Sequence, residues 1–386
     1  MQLLTLASLL PLVLAAPVIQ PRGAQLIAGN YIVKLKSGAS EAALEHAISH
    51  LKNKETAKHV YRASKFKGFA AKLSADVLDA VSKLDAVEYI EQDAVITTQT
   101  LVIEENVPWG LGRISHHTTG STEYVYDDSA GEGTCSYIID TGIYVDHNEF
   151  QGRATWLANF IDNNDSDGAG HGTHVSGTVG GVTYGVAKKT QLYAVKVLDS
   201  SGSGTVSSVL AGINFVAEDA ATRTQTSCPN GAVANVSLGG GKSTAINDAA
   251  AAAVSAGVFF AVAAGNSDTD ASTFSPASEP SVCTVGATDD ADVRAYFSNY
   301  GSLVDVFAPG VDVLSSWPGS PDSTNTISGT SMATPHITGL GAYLLTLLGP
   351  KTPAELCQYI QATATVGTIT DLPNDTINAV AFNGAE

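Results

Sequence analysis

Three residues whose side chains could together perform nucleophilic catalysis lie in three short, glycine-containing segments of this 386-residue chain. Asp140 precedes Thr141-Gly142, His171 begins the run His-Gly-Thr-His, and Ser331 follows Gly329-Thr330. A carboxylate can orient an imidazole, the imidazole can take a proton from a hydroxyl, and the hydroxyl oxygen can attack a carbonyl carbon. Asp, His, Ser is one of the chain orders known for such a triad. We therefore expect Asp140, His171 and Ser331 to be catalytic.

The first two of these residues should be positioned by a strand and a helix. The apolar run Ser136–Ile139 predicts a buried parallel strand, so Asp140 should lie at its carboxyl end, where open α/β sheets build their sites. The small residues after His171 predict a helix packed closely on the sheet, with His171 at its N-terminus. His174 lies three positions further on and competes for the catalytic role. We expect His174 to be a hydrogen-bonded structural residue instead.

A second helix should carry the nucleophile. Apolar residues recur at helical spacing between Ala333 and Leu345, which predicts a helix that begins at Ser331. Pro335 suits this helix only within about its first turn, where a missing N–H is harmless. The positive end of the helix dipole would then lie near an oxyanion formed by attack of Ser331.

A fourth segment could stabilise that charge. The apolar run Val258–Val262 predicts another buried strand, and Asn266 follows its end after a glycine. The side-chain amide of Asn266 and the backbone N–H of Ser331 would be the two donors of an oxyanion hole.

With these residues in view, the chain from Trp109 nearly to its C-terminus resembles the subtilisin-like serine proteases, and within them the fungal proteinase K and cuticle-degrading branch. Besides the catalytic segments, the matching phrases are Trp109–Leu111, Tyr184–Ala187, Val195–Asp199 and Ser275–Ser278. The resemblance implies an α/β fold with a mostly parallel seven-stranded sheet and helices on both faces. It also implies an endopeptidase of broad specificity. In it, Asp140 orients His171, His171 acts as base and then acid, and Ser331 attacks.

The same resemblance implies where substrate binds. Gly202, Ser203 and Gly204 would pair with extended substrate backbone. Two further runs would form the walls of the pocket for the residue before the scissile bond: Ser237, Leu238 and Gly239, and Ala263, Ala264 and Gly265. Neither wall contains a carboxylate, so we expect a preference for aromatic and aliphatic residues. Val206 stands where relatives often have an aromatic residue, so the preference further upstream should differ.

The N-terminal part predicts a secreted precursor. The short apolar run Leu3–Leu14 and the small residues after it predict a signal peptide over residues 1–15. Residues 16–100 would be a propeptide and residues 101–386 the peptidase domain, with the maturation bond within a few residues of Thr100. Within the propeptide, residues from about 30 to 93 predict an α+β unit that resembles the inhibitor-type propeptide of this family. A free-standing binding domain is the alternative.

The periodicity of this small unit predicts two strands and two helices. Tyr31–Lys36 and Val87–Glu91 have the pattern of strands, whereas apolar residues recur at helical spacing over Leu44–Leu51 and Val77–Leu84.

Charge separates the two parts of the chain, whose formal net charge is −18. The first 100 residues contain 11 Lys and Arg against 9 Asp and Glu, and the rest contain 9 against 29. The acidic second part argues against a nucleic-acid partner. We expect a monomer without a membrane anchor or organic cofactor, whose partners are protein substrates and its own propeptide. The acidic run Asp289, Asp290 and Asp292 predicts a solvated turn.

The four cysteines all lie in the second part, and an even number in a secreted chain predicts two disulfides. Three pairings are possible, and the sequence alone does not choose among them. A cysteine–metal site is not expected, because no Cys-x-x-Cys spacing occurs. The family resemblance implies the pairs Cys135–Cys228 and Cys283–Cys357.

The resemblance also implies one structural calcium site. Its ligands would be the carbonyl oxygens of Pro280 and Val282 and the carboxylate of Asp305, a set that suits Ca²⁺ chemically. A second site known in relatives is not expected, because His117 and Thr368 occupy the corresponding positions.

Three Asn-x-Ser/Thr sequences are candidate glycosylation sites in a secreted protein. Asn164 and Asn374 are the candidates, whereas Asn235 is predicted to lie in a buried strand.

Other functions fit the sequence less well. A secreted lipase or esterase would have a Gly-x-Ser-x-Gly nucleophile segment and the order Ser, acid, His, and Ser331 has neither. A catalytically inactive binding homologue is not favoured, since every catalytic position is filled. A storage or inhibitory role for the uncleaved precursor is the remaining alternative.

Overall fold

The structure is a computed structural model that describes residues 15–21, 26–51, 56–94 and 100–385. It groups the chain into two units, Met1–Thr98 and Gln99–Glu386. The apolar run of the predicted signal peptide and residues 95–99, beside the predicted maturation bond, lie outside the described residues.

The first unit is a five-stranded sheet with two helices, in the strand order β1-β5-β2-β4-β3. Its elements are β1 (Val18–Ile19), β2 (Leu26–Leu35), α1 (Glu41–Ile48), β3 (Ala57–Ala63), β4 (Phe66–Lys72), α2 (Ala75–Ser82) and β5 (Val87–Ala94). Leu44 and Val77 lie on the inner faces of the two helices and pack in one core with Val33 and Ile90. The α+β prediction is therefore confirmed, and β1, β3 and β4 are additional strands.

The second unit contains fifteen further strands and six helices among the described residues. The strands are β6 (Leu101–Glu105), β7 (Glu123–Asp127), β8 (Thr134–Asp140), β9 (Ala154–Asn159), β10 (Gln191–Lys196), β11 (Gly231–Val236), β12 (Gly240–Gly241), β13 (Val258–Ala263), β14 (Phe274–Ser275), β15 (Cys283–Thr288), β16 (Val306–Pro309), β17 (Val313–Ser316), β18 (Thr324–Ile327), β19 (Thr365–Val366) and β20 (Ala379–Val380). The helices are α3 (Trp109–Ile114), α4 (His171–Gly180), α5 (Val206–Arg223), α6 (Thr244–Ser255), α7 (Thr330–Leu348) and α8 (Pro353–Thr363). Within the described part of the chain, no helix is both long and apolar enough to cross a bilayer.

The central sheet has the order β19-β20-β16-β15-β13-β11-β8-β10-β9. The seven strands from β16 to β9 are longer than two residues and pair in parallel, which confirms the predicted sheet. The structure extends it at one edge by two strands of two residues each, β20 and β19, which pair antiparallel with each other.

Helices cover both faces of this sheet because alternate strand residues point to opposite sides. In β8, Ile139 packs in the cluster that contains the buried residues of α5 and α6, whereas Ile138 packs with those of α4. Helix α7 lies on the face shared with α4, where its residues Ile337 and Leu340 cluster with Phe259 of β13. The prediction of helices on both faces is confirmed.

Two disulfides join elements of the second unit. They are Cys135–Cys228 and Cys283–Cys357, with Cα–Cα distances of 5.6 and 5.8 Å. The pairing implied by the family resemblance is confirmed, and the described residues include no free cysteine.

The carboxyl edge of the sheet brings the predicted catalytic segments together. Asp140 is the last residue of β8, His171 is the first residue of α4, and Ser331 is the second residue of α7. The prediction for Pro335 was wrong in one respect: it is the sixth residue of α7, in the second turn rather than the first. The helix continues past Pro335, and the carbonyl oxygen of Ser331, which loses its N–H partner, accepts a hydrogen bond from the Ser237 hydroxyl at 2.8 Å.

Candidate active site

The imidazole of His171 is held by a buried carboxylate. Nδ1 of His171 lies 2.8 and 3.0 Å from the two carboxylate oxygens of Asp140. Asp140 is fully buried, whereas 27% of the His171 side chain is exposed. Because a carboxylate only accepts hydrogen bonds, Nδ1 carries the proton and Nε2 of the neutral ring keeps a lone pair. The exposed part of the ring can therefore act as a base.

A second buried carboxylate holds the segments that carry this pair. One oxygen of Asp167 accepts hydrogen bonds from the Thr141 hydroxyl and from Gly170 N–H, both at 2.8 Å. The other accepts from the N–H and the hydroxyl of Thr173, at 2.8 and 2.6 Å. Asp167 thus joins the first turn of α4 to the residue that follows Asp140.

The charges around His171 favour its protonated form. Burial lowers the pKa of His171, but the charge and hydrogen bond of Asp140 raise it, and the charge of Asp167 raises it further. The net result is a pKa above the ordinary value of 6.5. Two neighbouring carboxylates therefore make His171 a stronger base than a free imidazole.

His174 has the structural role that the sequence predicted. It is fully buried, and its Nε2 lies 3.0 Å from the carbonyl oxygen of Val313 and 3.2 Å from that of Asn325. Burial lowers the pKa of His174 to about 4, although these two hydrogen bonds favour the charged form. His174 is consequently neutral at physiological pH.

The hydroxyl of Ser331 is partly exposed at the start of α7. It donates a hydrogen bond to the carbonyl oxygen of Ser237 at 3.0 Å. In this state its proton is directed to a backbone carbonyl group rather than to His171. A rotation about the Cα–Cβ bond of Ser331 redirects the hydroxyl.

Two N–H donors flank one space beside Gly329. The oxygen of the Asn266 side chain accepts from the N–H and from the hydroxyl of Thr330, both at 2.8 Å, so its NH₂ group is the end left for a ligand. The N–H of Ser331 has no acceptor within the helix, because it lies in the first turn. A methyl group added at Gly329 would lie 3.4 Å from Asn266 Nδ2 and 3.6 Å from Ser331 N. The two donors therefore converge on space that a side chain at this position would fill.

A cleft of about 600 Å³ contains His171 and two of the three predicted substrate-binding runs. Gly202, Ser203 and Gly204 line one side, and Ser237, Leu238 and Gly239 line the other. Among the described residues that line the cleft, no Asp, Glu, Lys or Arg occurs, whereas apolar side chains such as Val209 and Ile246 do. The cleft suits an uncharged, largely apolar group.

The first of these runs is an exposed turn whose backbone is partly paired, because Gly202 N–H donates to the carbonyl oxygen of Asp199 at 3.0 Å and the carbonyl oxygen of Ser203 accepts from Asp199 N–H at 2.8 Å. The carboxylate of Asp199 accepts hydrogen bonds from the N–H groups of Ser201 and Ser203, at 2.8 and 3.1 Å. Gly202, Ser203 and Gly204 are all exposed, as is Val206. Their backbone groups are accessible to an extended peptide.

The third run lies outside the lining of the cleft. Ala263 and Ala264 are buried, and Gly265 N–H donates to the hydroxyl of Thr330 at 3.2 Å. Since Thr330 also holds Asn266, this run positions the amide donor of the site.

Asp305 is a partly buried carboxylate at the start of β16 without a basic side chain within 4.0 Å in the described part of the chain. Burial raises the pKa of Asp305 to about 6, although hydrogen bonds from Thr284 N–H and the Gln361 amide favour the charged form. Its oxygens lie near the sulfurs of Cys283 and Cys357, but the disulfide removes both thiolates as metal ligands. A cation with oxygen ligands would suit the negative charge of the Asp305 carboxylate.

The other predicted positions lie apart from the cleft. Nδ1 of His117 lies 2.9 Å from the Thr365 hydroxyl, and its ring packs on Phe382. The buried hydroxyl of Thr368 has no hydrogen-bond partner among the described residues.

The expectation that the acidic run Asp289–Asp292 forms a solvated turn was wrong for one residue. Asp290 is exposed, but Asp292 is only 3% exposed and accepts two hydrogen bonds from Arg113, at 2.7 and 2.9 Å. The paired guanidinium compensates for the desolvation of this carboxylate.

The three glycosylation candidates differ in exposure. Asn164 and Asn374 are exposed, whereas Asn235 is fully buried in β11, as predicted.

The sequence did not identify four residues that support the site: Asp167, Thr330, Asn235 and Thr338. Asp167 had one available signal, because an acid within a glycine-rich segment four residues before His171 is poised to bind the N–H groups of the helix start. The others were not distinguishable, because their roles depend on contacts between residues distant in the chain.

Residues 131–382 match the family described as "Subtilase family", and residues 30–99 match the one described as "Peptidase inhibitor I9".

The chain is similar to named proteases over most of its length. It is 52% identical to a cuticle-degrading protease of Metarhizium anisopliae over 100% of both chains. It is 51% identical to proteinase R of Parengyodontium album, over 95% of this chain and 92% of the relative. Among solved structures, a cold-adapted subtilisin-like serine proteinase matches with a TM-score of 0.67 and 42% identity, over 73% of this chain and all of that chain.

Proposed function

Because the chain belongs to the subtilase family of serine proteases, we propose that it hydrolyses peptide bonds through Asp140, His171 and Ser331. The observation that carries this proposal is that His171, hydrogen-bonded to the buried Asp140, lines the same cleft as two of the predicted substrate-binding runs. Ser331 and two convergent N–H donors at the same sheet edge support it.

The proposed reaction has two halves. Nε2 of His171 takes the proton of the Ser331 hydroxyl while its oxygen attacks the scissile carbonyl carbon, and Asp140 stabilises the resulting imidazolium. Asn266 Nδ2 and Ser331 N–H donate to the oxyanion. His171 then gives its proton to the leaving amine, which forms the acyl-enzyme. A water molecule repeats these steps to release the acid and to restore Ser331.

We propose that the cleft accepts an aromatic or aliphatic residue before the scissile bond. The absence of charged residues from its described lining and the presence of Val209, Leu238 and Ile246 support this preference. The accessible backbone of Gly202–Gly204 would pair with substrate residues further upstream, where Val206 leaves more room than an aromatic residue.

We propose that the chain is made as a secreted precursor that its own propeptide inhibits. The match of residues 30–99 to a peptidase-inhibitor family supports inhibition by the propeptide, and the apolar N-terminal run supports secretion. Secretion is also consistent with two disulfides and with the exposed candidate glycosylation sites at Asn164 and Asn374.

We also propose that the carbonyl oxygens of Pro280 and Val282 and the carboxylate of Asp305 would hold a structural Ca²⁺. The support is the lack of a basic partner for Asp305 among the described residues and the oxygen-only ligand set. The second position, His117 with Thr368, offers no carboxylate, and we propose one calcium site.

The test of the function is Ser331→Ala. We expect kcat on a protein substrate to fall on the order of 10⁶-fold, the magnitude known for the nucleophile of a related subtilisin. If the first cut is autocatalytic, the variant also accumulates as the uncleaved precursor. Ser302→Ala, at an exposed serine, is the matched control and should retain full activity. Activity in Ser331→Ala equal to that of the control would contradict the proposal.

A further inference from the structure

Pro335 removes a hydrogen bond from the helix that carries the nucleophile. In an α-helix, the N–H of each residue bonds to the carbonyl oxygen four positions earlier. Proline has no N–H, so Pro335 leaves the carbonyl oxygen of Ser331 without its helical donor. A buried carbonyl group without a partner would be costly, and this one belongs to the nucleophilic residue itself.

Ser237 supplies the missing donor from another element. Its hydroxyl donates to the carbonyl oxygen of Ser331 at 2.8 Å, and its own carbonyl oxygen accepts from the Ser331 hydroxyl at 3.0 Å. Ser237 is only 3% exposed, which limits competition by water for this bond. The two serines therefore bond to each other in both directions.

Two deeper residues fix the direction of the Ser237 hydroxyl. The amide NH₂ of Asn235 donates to Ser237 Oγ at 2.9 Å. The Thr338 hydroxyl is shared between the amide oxygen of Asn235, at 3.1 Å, and the carbonyl oxygen of Thr334, at 3.2 Å. Asn235 and Thr338 are both fully buried. Because Ser237 Oγ accepts from Asn235, its proton is directed to the carbonyl oxygen of Ser331.

We infer that Ser237, oriented by Asn235 and Thr338, is a positioning residue that replaces the hydrogen bond lost at Pro335 and thereby fixes the backbone of Ser331. This inference rests on the proposed function. The backbone of Ser331 carries both the nucleophilic Oγ and an N–H donor for the oxyanion. A shift of this backbone moves both groups, and a misplacement of about 1 Å can cost about 100-fold in rate.

If the inference is right, Pro335→Ala should restore the activity that Ser237→Ala loses. In Ser237→Ala the carbonyl oxygen of Ser331 loses the hydroxyl donor that stands in for the N–H missing at Pro335, and we expect kcat to fall about 10- to 100-fold with KM changed less than about threefold. Pro335→Ala restores an N–H at the helical position and should keep kcat within about threefold of the wild type. The double variant Ser237→Ala/Pro335→Ala should regain most of the loss, because the restored backbone N–H can bond to the carbonyl oxygen of Ser331.

The matched control is Ser315→Ala. Ser315 is equally buried, and its hydroxyl donates at 2.8 Å to the carbonyl oxygen of His174 in helix α4. The residue four positions after His174 is Thr178, which has an N–H, so the carbonyl group keeps a donor in this variant. We expect Ser315→Ala to lower the melting temperature without changing kcat.

If Ser237→Ala does not yield folded protein, Thr338→Val tests the same network from its far end. Valine has nearly the shape of threonine but cannot donate to Asn235, and one such hydrogen bond corresponds to a loss of about two- to tenfold in kcat. The rate at which a fluorophosphonate labels Ser331 is measured beside kcat for every variant, because it reports the nucleophile without an extended substrate.

The inference is overturned if Ser237→Ala keeps wild-type kcat and labelling rate, or if Pro335→Ala fails to restore either in the double variant. It is also overturned if Thr338→Val leaves both unchanged. A wild-type enzyme that neither turns over nor takes the label would instead refute the proposed function, so the two failures are distinguishable.

Discussion

At the scale of single residues, the proposed chemistry depends on which hydrogen-bonding atoms are already occupied. Thr330 uses both its N–H and its hydroxyl to bond to the oxygen of the Asn266 side chain. This fixes the amide so that its NH₂ group is directed away from Thr330. Asn266 therefore enters the reaction as a donor that requires no reorganisation.

Replacing Asn266 by Ala should lower kcat about 10²- to 10³-fold, the magnitude known for this donor in a subtilisin, with little change in KM. The reason is that the amide bonds to the oxyanion of the transition state and not to the substrate. Steady-state kinetics on a short peptide separate the two constants. Asn325→Ala, whose side chain is outside the cleft, is the control. A rise in KM with unchanged kcat would show that Asn266 binds substrate instead.

The pH dependence follows from the neighbours of His171. The base must be neutral, and Asp140 and Asp167 raise its pKa, so kcat/KM should increase with pH through an apparent pKa above 6.5. Asp167→Asn removes one of the charges that stabilise the imidazolium, so its rising limb should shift to lower pH. Burial lowers the pKa values of His174 and His336 to about 4, so neither should contribute to this limb. Activity that decreases from pH 6 to 8 would contradict the assignment of His171 as base.

At the scale of elements, the strands and helices of the site were predictable because each has a strong local pattern. The apolar run before Asp140 and the periodicity after Ser331 determine a strand end and a helix start without reference to the rest of the chain. The role of Pro335 was not accessible locally, because the carbonyl oxygen of Ser331, which loses its helical donor at Pro335, bonds to the hydroxyl of Ser237, 94 residues away. Asp292 was misjudged for the same reason, since its partner Arg113 is 179 residues away.

The proposed calcium site includes Asp305, at the start of β16. The carboxylate of Asp305 lies beside the disulfide that links β15 to α8, without a basic partner among the described residues. A bound cation would compensate its charge, and ligand at 100 times Kd stabilises the folded state by about 2.7 kcal/mol. We expect chelation to lower the melting temperature of the wild type and to leave that of Asp305→Asn unchanged. Asp290→Asn, at an exposed acid, should respond as the wild type does.

A wild-type melting temperature that is the same with excess calcium and with chelator would contradict the calcium proposal. An unchanged response in Asp305→Asn would show that calcium binds elsewhere.

At the scale of the whole molecule, the chain combines a subtilase unit with a smaller unit of a peptidase-inhibitor family. The first 100 residues are nearly neutral and the rest are strongly acidic. The two-part organisation was expected from the sequence, because residues from about 30 to 93 have their own pattern of strands and helices and resemble an inhibitor-type propeptide.

The most direct test of this account is the intact mass of the secreted protein before and after treatment with a serine-directed fluorophosphonate, with the modified peptide sequenced. We predict one label per chain, on Ser331, and a mature chain that starts near residue 101. A mature chain of that length that takes no label would contradict the catalytic assignment. An unlabelled chain that still starts near residue 16 would identify the latent precursor as the stable product.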